Sequence, residues 1–262
     1  MSDERMPVLF VGHGSPMNAI EKNGYNRTWV SLARRLPRPR AIVSISAHWE
    51  TEGSQVTAAD RPRTIHDFYG FPKELFDLQY PAPGDPSLAI TLCSTVKPVT
   101  LRPDLQWGLD HGTWSVLCHM YPEADIPVIQ LSLDRTRDGA YHYNMGKQLR
   151  FLRDQGVLVM GSGNLVHNLA MVSWGSYPYD WAGEFDQKIR NWIQTGDHDA
   201  LIHYEKQGKA ASLSINSGEH FLPALYILAM QEAGEPVEFF NESILAASIS
   251  MRGFLIGGAP VD

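Results

Sequence analysis

Cysteine is nearly absent from this chain of 262 residues, with only Cys93 and Cys118. Two thiols cannot build a disulfide framework or a cysteine-rich zinc site, so they read as free thiols in a reducing compartment, the cytoplasm. Basic clusters are lacking as well. Net charge is −7, and no Lys/Arg block or stripe interrupts the sequence, which argues against nucleic acid or an anionic membrane as partner. No apolar run approaches the ~20 residues needed to span a bilayer, and Met1–Met6 runs into an apparent core strand without the build of a signal peptide. Short-range metal motifs such as His-Glu-x-x-His and paired Cys-x-x-Cys are missing too. Any metal site must therefore be assembled from distant segments.

What is present is ordinary globular composition, 44% hydrophobic and 19% charged, in a chain long enough to bury a core without staples. Short β-branched runs alternate with helical patterns. Strands are expected at Val8–Val11, Ala41–Ser46, Ile126–Leu133, Val157–Met160 and Ala246–Ile256. Helical spacing appears at Asn26–Leu36, Ser87–Val96, Ala140–Gln155, Trp181–Thr195 and Glu219–Ala233, with Pro223 tolerable only in a first turn. Asp60 to Asp85 reads as a long proline-rich loop, the kind that forms a lid or pocket wall. This alternation predicts one α/β domain, 1–262, with a central mainly parallel or mixed sheet flanked by helices on both faces. Ligands of such sheets collect outside the carboxyl ends of the strands.

Histidine is plentiful, with ten in the chain. His13 falls directly after the first strand, His48 after the second, and His167 shortly after the strand ending at Met160. One histidine in a loop is ordinarily solvated, but three at one sheet edge point to a shared metal. Gly12 and Gly14 beside His13 allow close backbone approach. His220 is a further candidate ligand, with adjacent Glu219 as its rival or as a helix-start carboxylate. Imidazole suits zinc and iron. His111, in Asp110-His111-Gly112-Thr113-Trp114, is a candidate proton shuttle or orienting donor. His66 is a candidate pocket residue on the long loop. Trp49, Trp114, Phe68 and Phe71 are candidate walls for an aromatic substrate. His119, His142, His198 and His203 read as structural or exposed.

Gly12-His13-Gly14-Ser15-Pro16-Met17, Ser46-Ala47-His48-Trp49, Tyr80-Pro81-Ala82-Pro83-Gly84, Asp110–Trp114, Gly163-Asn164-Leu165-Val166-His167-Asn168 and Glu219-His220-Phe221-Leu222-Pro223 together resemble the LigB-type class III extradiol ring-cleavage dioxygenases, in particular the branch that opens DOPA. The resemblance spans nearly the whole chain. It implies one divalent metal, Fe(II) in the active enzyme with zinc plausible as bound metal, and a catechol and O₂ as substrates, with L-DOPA opened to 4,5-seco-DOPA. It implies His13, His48 and His220 as metal ligands, His167 as acid–base residue or additional ligand, and His111 as a contact to dioxygen or substrate. Across the wider superfamily the third ligand is a carboxylate, so an all-histidine set would leave the metal's charge to the bound catecholate. A zinc hydrolase using the same histidines is the alternative. Monomer and homodimer both stay open.

Overall fold

The central strands are apolar on both faces, which requires helices above and below them. The computed structural model describes residues 5–97 and 99–258. Its first half runs β1 (Val8–Gly12), α1 (Gly24–Arg35), β2 (Ala41–Thr51), β3 (Gln55–Thr57), α2 (Lys73–Asp77), α3 (Pro86–Thr95), β4 (Arg102–Asp104), α4 (His111–Met120) and β5 (Val128–Asp134). Then follow α5 (Gly139–Gln148), α6 (Phe151–Asp154), β6 (Val157–Gly163), α7 (Asp180–Thr195), α8 (His198–Ile202), α9 (Lys209–Ser214) and α10 (Leu222–Ala229). Four strands close the chain: β7 (Val237–Phe240), β8 (Ile244–Leu245), β9 (Ile249–Ser250) and β10 (Gly253–Ile256).

Eight strands form one mixed sheet in the order β4-β3-β5-β2-β6-β1-β10-β7, while β8 and β9 pair separately. The central four, β5, β2, β6 and β1, are parallel, whereas β10, β7 and the β3–β5 pairing are antiparallel. Side chains alternate between two cores. Val8, Phe10, Val157 and Val159 face α5, α7 and α10, while Leu9, Val11, Leu158 and Met160 face α1 and α4. The expected single α/β domain with helices on both faces is the observed one. Among the described residues, no helix is long and apolar enough to cross a membrane.

Several boundaries differ from the sequence reading. β2 does not stop before His48 but continues to Thr51, because its pairing with β5 slips between Ile45 and Glu50 while β5 advances only from Leu131 to Leu133. Such a bulge re-aims side chains, and His48 stands inside it. The helix expected over Ala140–Gln155 breaks after Gln148, where Leu149 and Arg150 bond three residues back. The final run is not one strand: Ala246 and Ala247 adopt positive φ and reverse the chain between β8 and β9. The last helix begins at Leu222, with Pro223 in its first turn, so Glu219 and His220 precede it. The long loop contains α2, and β3, β4, β7 and β8 are additions too short to leave a periodic signal.

On the α5–α10 face, His142 is wholly buried with Nδ1 3.0 Å from the Tyr226 hydroxyl. Burial pushes its pKa down to about 4, against a smaller upward pull from Asp134. The unfolded chain therefore takes up a proton first as pH falls below its ordinary value near 6.5. His142 should remove stability between about pH 6.5 and about pH 4, on the order of 3 kcal/mol in all. Chemical denaturation across that range should show a shallower pH slope in His142→Gln; an unchanged slope would remove His142 as a contributor.

Candidate active site

Three of the histidines converge on one point at the carboxyl edge of the parallel strands. His13 follows β1, His48 comes from the bulge of β2, and His220 comes from the segment before α10. One ring nitrogen of each lies within 4.8 Å of the others. His13 Nε2 and His48 Nε2 stand 3.1 Å apart, and the His220 ring centroid is 5.4 Å from that of His13 and 5.1 Å from that of His48. Gly14, with φ +64°, turns the chain directly after His13. Gly163 at the end of β6 lets the His220 segment approach, since a Cβ there would lie 2.0 Å from the His220 carbonyl oxygen.

Each of the three rings presents its other nitrogen to an acceptor. Ser162 Oγ donates to the Gly112 carbonyl at 2.5 Å, so it accepts from His13 Nδ1–H at 2.9 Å. His220 Nδ1 donates to Glu219 Oε1 at 3.1 Å, and Ser217 Oγ donates to the same oxygen at 2.9 Å. His48 Nδ1 stands 3.2 Å from Asp67 Oδ2. Hydrogen bonds place the proton of His13 and His220 on Nδ1, the carboxylate charge of Asp67 favours the same tautomer of His48 without a hydrogen-bond geometry, and Nε2 turns inward, the arrangement that metal-bound histidines show. With His13 engaged this way, its Nε2 is a lone pair facing His48 Nε2, and two such nitrogens either share a proton or face one cation. Burial holds His13 and His220 well below the usual histidine range, with neighbouring histidines adding to the effect. His48 is pushed down to about 3 by burial and His111, with Asp67 pulling the other way. Neutral imidazoles are what zinc and iron bind.

His111 opens α4 with its ring 3.9 Å from His48 and 5.6 Å from His13, centroid to centroid. Its Nδ1 is 3.0 Å from Asp67 Oδ1, at an angle short of a hydrogen bond. His167, half-buried beyond β6, stacks on His220 at 3.5 Å and 7°. It belongs with Glu219 and His220 rather than with the converging three. Burial lowers it to about 4, with Glu219 opposing. Phe68 stands edge-on to His111 at 5.6 Å and packs on Phe71 and Trp114. His66 bonds the Leu78 carbonyl through Nε2 at 2.9 Å, and the fully buried Trp114 donates to the Ile65 carbonyl at 2.8 Å. Both fasten the long loop. Trp49 is buried and stacks on Trp107. His119 and His198 bond Asn18 and Gln231, and His203 is half-buried beside Asp199.

Asp67 and Ser162 were not anticipated. Ser162 carried a faint signal, a polar residue between glycines at a strand end. Asp67 carried only its place beside His66 in a loop, and nothing local says that the loop folds back onto β2. For Asp67, burial alone would raise the pKa, but the pull of His111 and His48 outweighs it and brings the carboxylate to about 2.

Sheet edge and histidine cluster together define a metal-dependent enzyme of the α/β class. Residues 8–251 match the family described as the catalytic LigB subunit of aromatic ring-opening dioxygenase. The chain is 46% identical to the 4,5-DOPA dioxygenase extradiol of Escherichia coli strain K12, covering 98% of this chain and 97% of that protein. It is 38% identical to the protein of the same name in Beta vulgaris, covering 89% of each. A crystal structure of an uncharacterized Escherichia coli K12 protein superposes with TM-score 0.85 at 41% identity, covering 96% of this chain and all of that one. The chain belongs to the LigB family of extradiol ring-cleaving dioxygenases. That membership sets the hydrolytic alternative aside.

Gly163→Ala should force β6 and the His220 segment apart, costing about 1–3 kcal/mol by overpacking and loosening the cluster. Gly183→Ala, in α7 with open space around it, should be neutral or stabilising by about 0.5–1 kcal/mol. Thermal unfolding of the two variants checks the contrast, and equal melting temperatures would contradict it.

Proposed function

We propose that this enzyme is an Fe(II)-dependent extradiol dioxygenase that opens L-DOPA to 4,5-seco-DOPA, acting in the cytoplasm as a monomer or homodimer. The carrying observation is the set of three neutral imidazoles on separate segments, each with its outer nitrogen at an acceptor and its inner nitrogen toward a common point. The names of the Escherichia coli and Beta vulgaris relatives support DOPA as substrate. Two half-buried free thiols suit a reducing compartment.

In this reading His13, His48 and His220 hold the metal. Bound iron supplies electron exchange between ring and dioxygen and a template for both reactants. His167 takes the proton from a catechol hydroxyl, the role suited to a neutral imidazole beside the ligand set. Its stacking on His220 keeps its plane fixed while its edge stays available. His111 holds a proton toward oxygen on the opposite side of the cluster, where Phe68 offers an aromatic face to the substrate ring. His66 and Trp114 serve binding indirectly by fixing the loop and the aromatic packing behind Phe68, and Trp49, next to His48, does so through its stack on Trp107.

The Fe(II)-loaded protein, prepared without oxygen, should consume O₂ with L-DOPA and produce a new visible chromophore, more efficiently than with catechol lacking the amino-acid side chain. No uptake across a catechol panel would defeat the assignment. His167→Ala should lower turnover by about 10²–10⁴-fold, the usual worth of a general acid–base group, with metal content retained. His220→Ala should lose the metal. Full activity in the first or full metal content in the second would reverse the respective role.

A further inference from the structure

The Asp67 carboxylate touches two histidines of the cluster at once. Oδ2 is 3.2 Å from His48 Nδ1, and Oδ1 is 3.0 Å from both His111 Nδ1 and the His111 backbone nitrogen, which donates to it. The simplest explanation for a carboxylate at a helix start is capping. That task is shared: Asp110 accepts from the Thr113 backbone N–H and Asp67 Oδ1 from that of His111. Capping engages only Oδ1 and does not account for Oδ2, which a loop more than 40 positions before His111 brings to His48 Nδ1.

We infer that Asp67 is a positioning residue for the metal centre, drawing the proton of His48 to Nδ1 so that Nε2 is bare for the ion, and supplying negative charge one imidazole away from it. This rests on the reading of His48 as a ligand. A carboxylate only accepts, so it selects the Nδ1–H tautomer of any imidazole beside it. The start of α4 favours an anion at this point. Glu219 stands in the same relation to His220, whereas His13 has the neutral Ser162 behind it. The divalent charge is thus met by two carboxylates, each behind one ligand ring, although no carboxylate belongs to the converging three. Asp67 also ties the loop that carries Phe68 to both His48 and His111, so ligand and substrate wall are held by one side chain.

Metal affinity separates this inference from the reading beneath it. Zn(II) and Co(II) dissociation constants are measured by chelator competition on the full-length protein, wild type, Asp67→Asn, Asp67→Glu and His48→Ala. His48→Ala should lose metal binding; wild-type affinity there would remove the ligand assignment itself. Given that loss, Asp67→Asn should bind about 10–100-fold more weakly, the usual cost of losing such a partner, and should shift the visible Co(II) spectrum. Wild-type affinity and spectrum in Asp67→Asn would overturn the inference while leaving His48 a ligand. Asp67→Glu, which restores the charge, should recover most of the affinity and keeps the test open if the amide variant folds poorly. A loss in Asp67→Glu as large as in Asp67→Asn, with circular dichroism unchanged, would also overturn it.

Discussion

Several histidines buried side by side can be tolerated only if they stay uncharged, and much of this site follows from that constraint. A protonated imidazole in such a place would face both desolvation and its neighbours. Burial keeps the rings neutral against the upward pull of the nearby carboxylates, the acceptors at the outer nitrogens orient them, and together these leave a concentration of lone pairs that a cation relieves. Ser162, Asp67 and Glu219 are therefore as much a part of the centre as the rings they orient.

The fold serves this constraint by bringing rigid backbone to one edge. β1 and β6 run parallel with Gly12 opposite Gly163, so His13 leaves β1 just past the last pair and its ring reaches Ser162, which lies opposite Val11. The slip in β2 turns His48 toward them, and the Gly163 approach admits His220. His167 is held from three directions, by bridges to Ile215 and Ile249 and by its stack on His220. Strands and strand ends position the converging histidines, while the long loop adds adaptable aromatic surface, a division common in enzymes of this architecture.

Much of this was legible in the sequence. The four parallel strands carried β-branched runs bounded by glycine and proline, and the strand-end rule brought His13, His48 and His167 to one edge before any family was considered. What stayed hidden depended on tertiary contact. The β2 extension is set by slipped pairing with β5, which no local period records. The reversal at Ala246 and Ala247 uses positive φ at residues that give no turn signal. Asp67 acquires its place only when its loop docks. His220 was a candidate ligand in the sequence with Glu219 as its rival, but only the fold shows that Glu219 Oε1 accepts from His220 Nδ1.

The order in which these pieces occur along the chain has a consequence for biogenesis. His13 and His220 are separated by about 200 residues, which a ribosome adding ~5–20 residues per second takes roughly 10–40 s to supply. Over that interval a nascent chain carries only His13 and His48 of the converging three. The sheet itself is also incomplete, because β1 pairs on one side with β10, which follows His220 in the chain. On the proposed ligand set, metal capture accordingly waits until the His220 segment has been made and has docked against β6.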